Sequence, residues 1–172
     1  MTEEREKQNI RSKGLPPETQ PGERLVIDEL DRKLLMAYQL DSRRSLREIA
    51  GELGVSPATV LARTRKLERA GIIKGYTVML DYERLGYELT AITEIVVSRG
   101  RLLEMEREIA KMPEVCAVYD VTGETDGIVI AKFRSREELS RFTKSLLAMP
   151  FVERTNTHVV LTTVKEDFRL PP

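Results

Sequence analysis

The pattern of apolar and polar positions divides the chain into three parts. Residues 1–24 show no apolar periodicity and hold Gly14, Pro16, Pro17, Pro21 and Gly22 among charges and amides. They read as a loosely attached arm. A sharper reading, an arm that touches DNA through Arg5, Lys7, Arg11 and Lys13, is weakened by the interleaved Glu3, Glu4 and Glu6. From residue 25 the spacing becomes helical. Ile27, Leu30, Leu34 and Ala37 or Tyr38 form one stripe, widened by Leu35 and Met36. Asp28, Glu29 and Asp31 supply the negative charge that a helix N-terminus favours.

A second helix is predicted after the turn QLDSRRS, with Leu46, Ile49, Ala50 and Leu53 inward. Ser45 is its expected N-cap, and Glu48 three residues on completes a capping box. Gly54 closes it in the left-handed conformation that a helix end demands. Val55 plugs the turn, Ser56 caps a third helix and Pro57 opens it. Val60, Thr64 and Leu67 face inward, and Gly71 stops the helix. Small Ala50, turning Gly54 and packing Val60 have the spacing of a helix-turn-helix. An ordinary antiparallel helix pair is the alternative. The outward face of the third helix decides between them, because Ala58, Thr59 and Ala62 are small while Arg63, Arg65, Lys66 and Arg69 are basic. Ile72–Asp81 is rich in β-formers and is expected to be a strand leading away from this head.

Residues 88–165 repeat a unit. Strand-like TAITEIVV is followed by a helical face of Leu102, Met105, Ile109 and Met112, and then the strand CAVYDVT. Strand-like GIVIAKF is followed by Leu139, Phe142, Leu146 and Met149, and then a strand expected to reach Lys165. The junctions MPEV and MPFV mark the two helix-to-strand turns. The order βαββαβ is ferredoxin-like. The predicted class is therefore α+β, with a winged helix-turn-helix domain over residues 25–80, including its linking strand, and a ferredoxin-like domain over 81–172. In TAITEIVV, Ala91, Ile95 and Val97 point one way and Ile92 and Val96 the other. Helices cover only one face of such a sheet, so the second is expected to meet the same sheet of another chain, giving a homodimer.

Charge sharpens this division. Arg43 to Lys74 carries eight basic and three acidic residues, a net +5; from Asp81 onward 13 basic residues face 16 acidic ones, a net −3. Only the first part suits a polyanion, and double-stranded DNA is its expected partner. Ala58, Thr59, Ala62 and Arg63 are candidates to approach base edges, Arg63 being capable of bidentate contact with guanine. Arg43, Arg44, Ser45, Ser56, Arg65 and Lys66 are candidates to hold phosphates. For Arg65 and Arg69 the alternative is a surface pair with Glu52 or Glu68. The loop VTGETDG carries a second candidate site. N–H groups near Gly123 could take a carboxylate and Asp126 an ammonium, with Glu124 and Thr125 beside them, which would suit an amino acid. Thr155 and Thr157 share a strand face and could add hydroxyls. A plain hairpin turn and plain strand threonines are the alternatives.

Catalysis has little support. The one histidine, His158, lies in a strand pattern, and the one cysteine, Cys116, has no partner histidine and looks structural. A single cysteine excludes an intrachain disulfide. Neither a phosphate loop nor a dinucleotide fingerprint appears, so no enzyme activity, cofactor or metal is expected. No apolar run approaches a membrane span, and MTEEREKQNI lacks the apolar centre of a signal peptide. A cytoplasmic protein without a membrane partner is expected.

These residues resemble the feast/famine, or Lrp/AsnC, regulators. The carriers are IDELDRKLL (27–35), SRRSLREIAGELGVSPATVLARTRKLERAGIIKGY (42–76), LG (85–86), VYDVTGETD (118–126) and VERTNTHVVL (152–161). The resemblance implies a winged-type DNA-binding head joined to a RAM-type βαββαβ regulatory domain, with dimers that often assemble to octamers. It implies an effector, commonly an amino acid, between dimers near Gly123 to Asp126, with Thr155 and Thr157 close by. Thr125 stands where the family often has an aromatic, and the N-terminal arm is longer than is common. The expected function is a sequence-specific transcriptional regulator modulated by an amino-acid-like effector. The alternative is an architectural, nucleoid-type protein with weak sequence preference and no effector.

Overall fold

The structure is a computed structural model. It describes residues 26–98 and 100–172, so the arm of residues 1–24 lies outside the described residues. The chain divides into two compact units at Val78/Met79; Asp167–Pro172 group with the first and Met79–Glu166 form the second.

In the first unit, α1 (Glu29–Leu40) begins at the N-cap Asp28. Asp28 Oδ1 accepts from the Asp31 N–H at 2.8 Å, and Asp31 Oδ2 accepts from the Asp28 N–H at 3.3 Å. Helix α2 (Leu46–Leu53) has the Ser45/Glu48 capping box and ends at Gly54, whose φ of 67° a side chain would strain. Helix α3 (Pro57–Arg69) starts with Pro57 behind the N-cap Ser56. Leu34, Ile49 and Leu67 are wholly buried where the three helices meet, and Val60, Ala37 and Ala50 complete the core. Buried Thr64 is satisfied by the Val60 carbonyl at 2.9 Å and the Tyr38 hydroxyl at 2.9 Å. The last residues join this unit through Gln39, whose amide donates to the Leu170 carbonyl at 3.0 Å.

Residues 72–81 depart from the expected strand, and no wing hairpin forms among the described residues. β-formers make a strand only where a neighbour completes the ladder. Val78 and Met79 instead remain about 70% exposed. Tyr76 is fixed by side chains, edge-on to Tyr38 and donating to Glu68 at 3.1 Å.

The second unit is a four-stranded antiparallel sheet in the order β2-β3-β1-β4: β1 (Leu89–Val97), β2 (Val115–Asp120), β3 (Gly127–Phe133) and β4 (Val152–Val159). Helices α4 (Leu102–Ile109) and α5 (Arg136–Leu147) follow β1 and β3, giving βαββαβ. Strand β4 ends at Val159 rather than reaching Lys165; one more bond to β1 follows, from the Val160 N–H to the Thr90 carbonyl at 2.8 Å, and β1 itself begins at Leu89. Ala91, Ile95, Val129, Ala131 and Phe133 pack beneath Met105, Ile109, Phe142 and Leu146. On the opposite sheet face, Ile92 pairs across with Ile130, Ala117 with Ile130, and Tyr119 with Ile128. This face keeps Ile92 and Tyr119 exposed and Ile128, Ile130 and Val96 half-buried, with nothing of this unit's own helices over it.

Candidate nucleic-acid interface and effector loop

Helix α3 presents its small residues outward. Ala58, Thr59, Ala62, Arg63 and Lys66 line a concave surface together with Asp28 of α1. The Ser56 hydroxyl sits at the helix start, accepting from the Thr59 N–H at 3.1 Å and lying 2.9 Å from the Thr59 hydroxyl. The exposed Ser45 hydroxyl donates to Glu48 at 2.7 Å as part of its cap. Both serines therefore have a local task besides any contact with a phosphate. Arg43, 88% exposed, lies beside Asp41 at 3.2 Å, and Arg44 pairs with Glu52. Arg65 and Arg69 are exposed, and among the described residues neither makes an ion pair. Their expected partners are engaged elsewhere: Glu52 with Arg44, and Glu68 with the Tyr76 hydroxyl.

Arg63 and Lys66 are not free, as their sequence reading had them. Arg63 Nη1 donates to both Asp28 oxygens, at 2.7 and 2.6 Å, and to Asp31 Oδ1 at 2.8 Å. Lys66 Nζ donates to Asp31 Oδ2 at 3.0 Å. Asp31 is wholly buried, so its charge requires these cations. Sequence reasoning assigned Asp28 and Asp31 to the helix dipole alone. The only further signal was two carboxylates at one helix start and surplus cations on another, over 30 residues apart.

The Arg63 hydrogen bond holds the Asp28 carboxyl below the ordinary aspartate range. Burial pushes Asp31 upward, but the Lys66 and Arg63 hydrogen bonds outweigh it, and Asp31 also titrates low. A carboxylate depressed on folding stabilises the fold fully above its unfolded value near 3.8, and that contribution is lost as pH falls through the lower folded value. Thermal stability of the first unit should therefore drop below about pH 4. Asp31→Asn should flatten that acid limb and, at neutral pH, cost about 2 kcal/mol, less than for a fully buried pair because Arg63 and Lys66 can turn to water. Melting curves of both proteins at pH 7 and pH 3 measure this.

The loop between β2 and β3 is built inward. Gly123, with φ of 132°, takes a conformation that disfavours any side chain. The Thr125 hydroxyl donates to the Ile95 carbonyl at 2.8 Å, and the Asp126 N–H donates to the same carbonyl at 3.0 Å. Asp126 Oδ2 accepts from the Val97 N–H at 2.8 Å; among the described residues Oδ1 has no partner. Glu124 is exposed. Thr155 pairs across from Ile95, so it flanks the residue that anchors the loop. Thr157 is turned to a neighbour instead, its hydroxyl 3.1 Å from that of buried Thr93.

A capped helix-turn-helix followed by a βαββαβ unit defines a class of DNA-binding regulators. Residues 27–68 match the AsnC-type helix-turn-helix domain and residues 90–170 the Lrp/AsnC ligand binding domain. An uncharacterised HTH-type transcriptional regulator of Pyrococcus furiosus is 58% identical over 148 residues, 86% of this chain and all of that protein. Among solved structures, E. coli AsnC is similar with a TM-score of 0.80 at 27% identity, covering 86% of this chain and 99% of that one. A transcriptional regulator from Neisseria meningitidis, solved as an L-Met complex, has a TM-score of 0.78 at 28% identity, covering 85% and 97%. The chain belongs to the Lrp/AsnC family and is a DNA-binding transcriptional regulator of that type. Among the described residues no helix is long and apolar enough to cross a membrane.

Proposed function

We propose that this regulator reads specific operator DNA with α3, acts as a homodimer able to assemble to octamers, and responds to an amino acid bound near Gly123–Asp126. It would do so in the cytoplasm, as a regulator without catalysis. The observation that carries the reading is the outward face of α3. Ala58, Thr59 and Ala62 leave room for base edges, and exposed Arg65 and Arg69 stand ready for phosphates. Arg43, Arg44, Ser45 and Ser56 would hold the flanking backbone. The uncovered apolar sheet face supports the dimer, since two heads spaced by a helical turn read a palindrome. The unpartnered Asp126 Oδ1 supports an ammonium contact, and the Neisseria relative's L-Met supports an amino acid as the class. Glu124, Thr125, Thr155 and Thr157 would shape that pocket from beside it.

The experiment is selection of duplex DNA from a random pool by the full chain. Competition at fixed salt should then give a specificity ratio of about 10³ or more. A ratio near one would instead favour the architectural reading. On the same protein, one of the twenty amino acids should raise the melting temperature in a concentration-dependent way. Loss of that shift in Asp126→Ala would support the loop site, and its retention would move the site elsewhere.

A further inference from the structure

Asp28 does more than cap α1. One of its oxygens accepts from the Asp31 N–H, as an N-cap requires, yet both oxygens also receive Arg63 Nη1, at 2.7 and 2.6 Å. Its carboxylate and Arg63 line the same concave surface as Ala58, Thr59 and Ala62. All three of Arg63's hydrogen bonds leave from Nη1. Among the described residues its Nε and Nη2 have no partner. Those two groups form one edge of the planar guanidinium, an edge able to make two parallel bonds to guanine O6 and N7. A free arginine loses rotamer freedom when it is ordered on DNA, whereas one already held on its far nitrogen loses less.

We propose that Asp28 is a positioning residue for base reading, holding Arg63 by Nη1 so that its Nε–Nη2 edge is set toward the DNA groove. This rests on α3 being the reading helix. A carboxylate at that surface also repels a polyanion, so Asp28 acts on the two kinds of binding with opposite signs. It raises affinity for the site that Arg63 reads, and it lowers affinity for any other duplex. A carboxylate that only braced the fold would move both together.

The test uses the full chain and an operator selected by the wild type. Asp28→Ser and Asp28→Asn both keep an N-cap acceptor, so α1 retains its start. Melting curves report whether the fold is retained. At fixed salt, Asp28→Ser should weaken operator binding about tenfold, within the range that one bidentate base contact is worth. Non-specific binding should stay level or strengthen. Asp28→Asn, which still offers Nη1 one oxygen, should fall between. In an Arg63→Ala background Asp28→Ser should add no further loss, and selection by Asp28→Ser should relax the same base position that Arg63→Ala relaxes. Operator affinity within twofold of wild type, or parallel loss on both kinds of DNA, would overturn the proposal. A wild-type specificity ratio near one would overturn the DNA-reading assignment itself and this proposal with it, a result distinct from failure of Asp28 alone.

Discussion

Ile130→Asp should turn the proposed dimer into monomers without unfolding the chain. Ile130 sits at the centre of the uncovered sheet face, across from Ile92 on β1 and Ala117 on β2. Its side chain points away from Phe133, Phe142 and the rest of the buried core, which lies on the other face. In the monomer an aspartate at this half-buried place on an inner strand reaches water at its tip and costs about 1 kcal/mol in packing and strand propensity. In a dimer joined through this face it would be buried without a partner, a penalty of several kcal/mol. That corresponds to a dimer weakened at least about a hundredfold. Sedimentation at micromolar concentration should show a dimer for the wild type and a monomer for the variant, which should still melt cooperatively, at a temperature lowered by the lost pairing. Operator affinity should fall as well, because a palindrome rewards two tethered heads over one. A variant that remains dimeric would show that the pairing surface lies elsewhere.

The local chemistry of the head was open to reading because each signal sits within a few residues of what it controls. Ser45 with Glu48, Ser56 with Pro57, and Gly54 after Leu53 all do in the structure what their spacing predicts. The sheet was legible for a related reason. The two MPxV junctions marked a duplicated unit, and a duplicated βαβ leaves few ways to arrange four strands. What lay outside local pattern was missed. The burial of Asp31 depends on Arg63 and Lys66, which another helix brings to it. The composition of residues 72–81 favours a strand, but propensity cannot supply the second strand that a ladder needs. Asp126 and Thr125 looked like ligand groups from their types. Much of their bonding capacity is used to hold the loop against β1, and that could not be seen before Ile95 and Val97 were placed beside them.

The α3 assignment has a direct probe at Ala62. This residue is exposed, lines the concave surface and has no part in the head's core. Glutamate is a good helix former and could pair with exposed Arg65 three residues on, so the helix should tolerate it. At the reading surface, however, it would put bulk and negative charge where a base edge and phosphates must approach. Titration of the selected operator with the full-length wild type and Ala62→Glu, at one salt concentration, is the measurement. Operator binding should weaken by more than about a hundredfold, the cost of a lost close approach plus charge repulsion, while the melting temperature stays within a few degrees. Undiminished operator binding by Ala62→Glu would show that α3 is not the helix that reads DNA.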